Sequence, residues 1–499
     1  MDPPRHACPW PARVRTVRTT VHRPRFRPHL RPCPEPASGR TSAVPVELST
    51  VRPEAPPGRR DAVHVPFFTA AVVSVLTVGA SWGVLILWRI GFGERFTGVS
   101  VHEINAHGYA QITGWVGLFI MGFGYQAFPR LWRTALAVPR LVPAVLAATL
   151  SGLVMAVTGM GATGYRAEGA WAVAAALAGN ALVLAASLVF AAQLLVTYLR
   201  SPGPMRPVTG FIGSALFWLV AQAAFGLWHT WMTMTAADRA DLLWYIATYQ
   251  APLRDLQIHG MALLMVLGLS SHLLPQMFGV PGTPERRAWT ALLLINVGVV
   301  IEVVVFIAYR WADDHRLAAL LMPPWLVIAG GVAAMALPWR LWRRLPRTDH
   351  RSGKFVRAAY GWLALSLVML LLMPVYQMVS GLAFSHAYYG AIRHAITVGF
   401  VSMMIMGVAA RVAPTLRGIH PGTLGSLTGP FVLINVGCAL RVSLQTLTDW
   451  HPFFFAVVGV SGLLELAALV WWGTGLLRIL HGSPASGPGV SRPVVLRPV

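Results

Sequence analysis

Residues 107–129 read HGYAQITGWVGLFIMGFGYQAFP: a histidine heads an apolar run that is thick with glycine and closed by proline. The run is long enough to cross a bilayer, whose hydrocarbon core of roughly 30 Å takes about 20 apolar residues per helix. It is one of many. From about residue 66 to residue 480 such runs follow one another with short polar breaks, in a chain of 499 residues that is 55% hydrophobic and 12% charged. Ordinary soluble domains carry roughly 25% charged residues. The pattern specifies an all-α polytopic membrane protein. About twelve transmembrane helices are expected, near 66–88, 101–128, 139–160, 168–199, 207–231, 251–279, 287–308, 316–338, 356–381, 387–412, 425–446 and 453–480.

The transmembrane domain takes residues 63–482. Residues 1–62 are rich in arginine and proline, hold no apolar run and are expected to be disordered. They lack the apolar segment that follows the charges of a secretory signal peptide. Residues 483–499 form a polar tail, expected to be flexible.

The net charge of +22 does not indicate nucleic acid, because the excess sits in the N-terminal tail and in short loops between spans. With the N-terminus inside, the inner loops hold Arg130, Arg133, Arg140, Arg200, Arg206, Arg286, Arg287 and the run at 339–357; the outer loops hold fewer. The positive-inside rule then places both termini in the cytoplasm. Cys8, Cys33 and Cys438 make no C-x-x-C pair, so neither covalent c-type haem nor a disulfide framework is indicated. Cys438 lies inside a span and reads as a packing residue.

The opening pattern recurs. HGMALLMVLGLSSHLLP begins at His259, and HAITVGFVSMMIMGVAARVAP begins at His394. The three stretches lie in spans 2, 6 and 10, a period of four helices, which predicts three four-helix units in a pseudo-threefold arrangement. All three spans run from outside to inside, and each histidine lies about 10 Å below the outer face at 1.5 Å per residue. One such histidine alone is a packing or interfacial residue. Three at one depth point to a metal or haem site, since intramembrane ionisable groups mark function and imidazole is a common metal ligand. The glycines of span 2 fit either close helix packing or room for a flat macrocycle. Arg393, Arg254 and Arg441 are candidate partners for haem carboxylates, with headgroup contact the plainer reading of the first two. His102, His229 and His386 are possible companions of His259. Glu302 and Glu465 sit within spans 7 and 12, where they serve a proton path or stay neutral and hydrogen-bonded.

Twelve spans with histidines on the second, sixth and tenth resemble the catalytic subunit of haem–copper oxidases. That resemblance implies that His107 and His394 are axial ligands of a bis-His b-type haem and that His259 holds copper. The chain departs from the oxidases where span 7 lacks their histidine pair and Ile392 stands in place of the first histidine of their His-x-His. RHAITVGFVSMMIMGVAARVAPTLRG (393–418) is similar to the late signature of the NnrS family, twelve-span bacterial membrane proteins that hold haem and copper. Membership implies a multi-pass protein of the bacterial inner membrane linked to nitric oxide metabolism or tolerance. Its partners would be a small gaseous ligand such as nitric oxide and an electron donor of unknown kind, and any enzyme activity would be that of a haem-dependent oxidoreductase. Two other readings stay open: a twelve-helix secondary transporter, and a divergent haem–copper oxidoreductase without the usual binuclear centre.

Overall fold

The computed structural model describes residues 62–164, 169–347, 349–382 and 384–482. The tails expected over 1–62 and 483–499 lie outside them, apart from residue 62. Twelve long helices account for the described residues, which include no strand: α1 (His64–Gly93), α2 (101–131), α3 (Pro139–Gly164), α4 (Ala170–Leu199), α5 (Pro207–Met234), α6 (Arg239–Phe278), α7 (Glu285–Ala312), α8 (Arg316–Trp339), α9 (Gly353–Leu371), α10 (His386–Leu416), α11 (Thr428–Leu447) and α12 (Phe453–His481). Eleven are long and apolar enough to cross a membrane. The other is α2, the helix of the opening stretch, whose apolar run is diluted by Gln111, Trp115, Tyr125, Gln126 and its glycines. Large apolar side chains such as Phe217, Leu293, Val304 and Trp471 are exposed, as lipid-facing positions are in a protein that satisfies its backbone inside its own helices. The chain is an all-α, multi-pass membrane protein.

Local sequence explains the helix ends. Ser100 and Glu103 form a reciprocal capping box at the start of α2. Asp238 accepts from the N–H groups of Ala240 and Asp241 at 2.8 and 2.9 Å. That cap starts α6 at Arg239, twelve residues before the expected boundary at 251. Span 9 ends sooner than expected: α9 stops at Leu371, and a short helix, Met373–Ser380, follows. Pro374 lacks an N–H and disfavours helical backbone before it, so the break falls there. Asp349 caps α9, accepting from the Ser352 and Gly353 N–H groups and from the Ser352 hydroxyl, and it pairs with Arg411 at 2.9 Å. Burial opposes ionisation of Asp349, but these hydrogen bonds and the Arg411 guanidinium outweigh it and hold the carboxyl below its ordinary value.

The packing repeats every four helices. α1 packs on α2, α5 on α6 and α9 on α10. α3 packs on α4, α7 on α8 and α11 on α12; α2 also meets α4, α6 meets α8 and α10 meets α12. Each unit hands over alike, α4 to α5, α8 to α9 and α12 back to α1, so the ring closes. The second and third units share a brace. Trp218 Nε1 donates to Asn296 Oδ1 at 2.8 Å between α5 and α7, and Trp362 Nε1 donates to Asn435 Oδ1 at 3.0 Å between α9 and α11. Each tryptophan lies over a glycine, Gly260 or Gly399, where a Cβ would come within 2.9 or 2.6 Å of the indole.

Candidate functional site

α2, α6 and α10 meet one another. Trp115 Nε1 of α2 donates to Ser402 Oγ of α10 at 3.1 Å. Arg254 of α6 donates to Asn105 Oδ1 of α2 at 3.3 Å, and Arg393 of α10 pairs with Asp255 of α6 at 3.2 Å. The two arginine contacts lie within about a turn and a half of His107, His259 and His394, and the Trp115–Ser402 contact eight residues beyond both His107 and His394, so the three histidines occupy one layer of the bundle.

Each of these helices carries an eight-residue π-helical segment beside its histidine: Ala110–Gly117, Leu256–Leu263 and Ala395–Ser402. Such widenings are rare, re-aim the side chains around them and occur at functional sites. The carbonyls they release need partners in an apolar medium. Ser402 Oγ supplies one, bonding Thr397 O at 3.0 Å.

Every histidine is held through one ring nitrogen. His107 Nδ1 donates to Gly79 O at 3.0 Å. Gly79 ends a π-helical segment of α1 and sits at φ −85°, ψ −102°, outside helical geometry, which turns its carbonyl toward α2. Gly83, one turn on, leaves space for the ring; a Cβ there would lie 2.6 Å from His107 Cε1. His259 Nδ1 donates to Glu302 Oε2 at 2.9 Å, and Trp325 Nε1 donates to Glu302 Oε1 at 2.8 Å. His394 Nε2 lies 2.8 Å from Glu465 Oε1. The other nitrogen of each ring has no hydrogen-bond partner among the described residues. An imidazole fixed through one nitrogen presents the other as a ligand, the arrangement of metal-bound histidines.

Asp255 joins His259 and Glu302: one ligand atom from each lies within 4.8 Å of the other two, and all three residues are buried. The cavity beside them is lined on one side by isoleucines and leucines, Ile392 and Leu367 among them, and on another by Ser366, Tyr389 and Arg393. Ile392 is thus an apolar neighbour of the cluster. The signal for Asp255 was readable, since a residue four before a helical histidine shares its face. The partners of Glu302 and Glu465 were not, because they lie on distant helices.

The arginines turn inward instead of reaching headgroups. Arg393 also donates to Tyr389 Oη at 2.9 Å and to Ala251 O at 3.1 Å. Arg441 interacts electrostatically with Glu465, while its buried Nε and Nη1 have no hydrogen-bond partner. His107 lies within electrostatic reach of His394, Arg254 and Arg441. His102 and His229, weighed as companions of His259, line a different cavity with Arg254. His386 packs edge-on against Phe384. The α2 glycines are occupied by packing: a Cβ at Gly108 would meet Arg254, at Gly114 Leu153 and Ser74, and at Gly122 Phe67. Cys438 is fully buried among Ala391, Ala395 and Val442, a packing residue.

No family model matches this chain, and no curated protein resembles it significantly in sequence.

Proposed function

We propose that this chain is an NnrS-like integral membrane haem protein of the bacterial inner membrane, with cytoplasmic termini, linked to nitric oxide metabolism or tolerance. The observation that carries the reading is the fixing of three histidines in one layer, each through a single nitrogen. The donor chemistry fits haem. His107 offers Nε2 and His394 offers Nδ1, and the two side chains are within electrostatic reach of each other. The unpartnered Nε and Nη1 of Arg441 suit a carboxylate. Arg393 has an unpartnered Nε, although its Nη2 is committed to Asp255. Bound there, a b-type haem would supply one-electron redox chemistry; the protein would supply the ligating nitrogens and their orientation through Gly79 O and Glu465.

His259 holds the second metal in this reading. Copper is the ion the family resemblance implies. Asp255 and Glu302 add two hard oxygen donors, a set that suits iron, manganese or zinc as well. The isoleucine and leucine wall beside the cluster suits the approach of a small apolar gas. Secondary transporters pair two repeated halves around a mid-membrane site, whereas the contacts here recur in three units, which favours the haem reading.

Colour tests it. Protein purified in detergent from haem-replete cells should show a Soret band and, after reduction, sharp α and β bands. His107→Ala and His394→Ala should each abolish the low-spin signal. A colourless wild type overturns the reading, and both variants retaining the signal overturns the ligands.

A further inference from the structure

Arg254 is a part-buried cation with no acid partner among the described residues. Its Nη1 donates to Gln257 Oε1 at 2.8 Å and its Nη2 to Asn105 Oδ1 at 3.3 Å, both neutral amides. No carboxylate among the described residues pairs with it. Asp255, its neighbour in sequence, is turned to Arg393. The charge that acts on Arg254 is that of a second guanidinium, Arg393. A guanidinium partly withdrawn from water is stabilised by a negative partner.

The surroundings define what fits. Arg254 faces a cavity bounded by α2 to α6, with His102, Tyr109 and His229 also on its wall. His229 is 3% exposed, and its Nε2 has no hydrogen-bond partner. The amide oxygens of Asn105, Gln222 and Gln257 are already used. Gln257 Oε1 accepts from Arg254, Gln257 Nε2 donates to Gln222 Oε1 at 3.0 Å, and Gln222 Nε2 donates to Leu219 O at 3.0 Å. What remains for a guest is mainly donors and one uncompensated positive charge. The space admits roughly two or three water-sized groups.

We propose that this cavity binds a small monovalent oxyanion of three or four heavy atoms, held by Arg254 and His229. The site adjoins the three-histidine layer but uses none of the three histidines, and it does not depend on haem. Gly108 belongs to it, since a Cβ there would lie 2.6 Å from Arg254 Nη2 and push the guanidinium out of place.

Calorimetric titration of the full chain in detergent with sodium formate and with sodium nitrite tests the assignment, with haem content measured on every sample. Wild type should bind at least one of them whether or not haem is present. Arg254→Gln should weaken binding by about tenfold or more, the scale of a lost charge-assisted hydrogen bond. His229→Gln, which keeps a donor and disturbs the fold less, should weaken it by a few fold. Unchanged affinity in a folded Arg254→Gln overturns the proposal, as does a wild type that binds neither anion. Loss of haem from Arg254→Gln, with no anion bound by the wild type, would assign the guanidinium to a haem carboxylate instead. Binding seen only through a shifted Soret band, and retained in Arg254→Gln, would place the anion on iron.

Discussion

The second and third four-helix units resemble each other more closely than either resembles the first. Both brace their first and third helices with tryptophan on asparagine, and both orient a histidine with a buried glutamate. The first unit uses main chain: His107 leans on the carbonyl of Gly79, freed by a π-helical segment of α1. A carboxylate can take up charge and can be protonated; a carbonyl can do neither. The scaffold is therefore repeated while the environment of the histidine is not, which is the pattern of a site whose three positions have different tasks.

The largest effect should come from Glu302. Glu302→Ala leaves His259 Nδ1 and Trp325 Nε1 unpaired in the bundle interior, and removing one partner of a buried pair costs about 3–5 kcal/mol. A clear fall in Tm in detergent is expected, and an unchanged Tm would show that His259 needs no acid, as His107 does not. Next is Glu465→Gln. Loss of an orienting carboxylate costs about 10–100-fold in metal affinity, so haem retention on dilution should drop while the Soret position holds. Equal retention would make the third unit behave like the first. Smaller still are Trp218→Phe and Trp362→Phe, each expected to lower stability by about 1 kcal/mol, the worth of one hydrogen bond. Markedly unequal shifts would break the equivalence of the two braces.

The smallest effect lies at the Asp349–Arg411 pair, which has no counterpart in the repeat among the described residues. The folded carboxyl is held below its ordinary value of about 4. Its contribution is present above that value and fades as pH falls through the depressed one. Arg411→Gln should cost at most about 1 kcal/mol at neutral pH, because the guanidinium is a third exposed. The difference from wild type should shrink in acid, and a difference that grew in acid would reverse the assignment.

Much of the fold was legible in the amino-acid pattern. Apolar run length marked the spans, and the recurring His-to-Pro stretches marked the period of four. The boundaries that moved did so through local chemistry, the Asp238 cap lengthening α6 and Pro374 shortening α9. The glycines of α2 were ambiguous because a missing side chain does not say what fills its place; here Arg254, Ser74, Leu153 and Phe67 do. His102, His229 and His386 were equally plausible companions of His259 in one dimension, since only helix rotation and neighbours put His102 and His229 in a different cavity and His386 against Phe384.

The sequence by itself determined an all-helical membrane chain with three histidines at one depth, because bilayer thickness and the rise of a helix constrain any apolar run. Tertiary structure alone decided which acid meets which histidine, and that Arg254 has no acid partner among the described residues. Those facts depend on helices 43 and 71 residues apart in the chain being packed side by side, and in a medium without water each polar group must find its partner there.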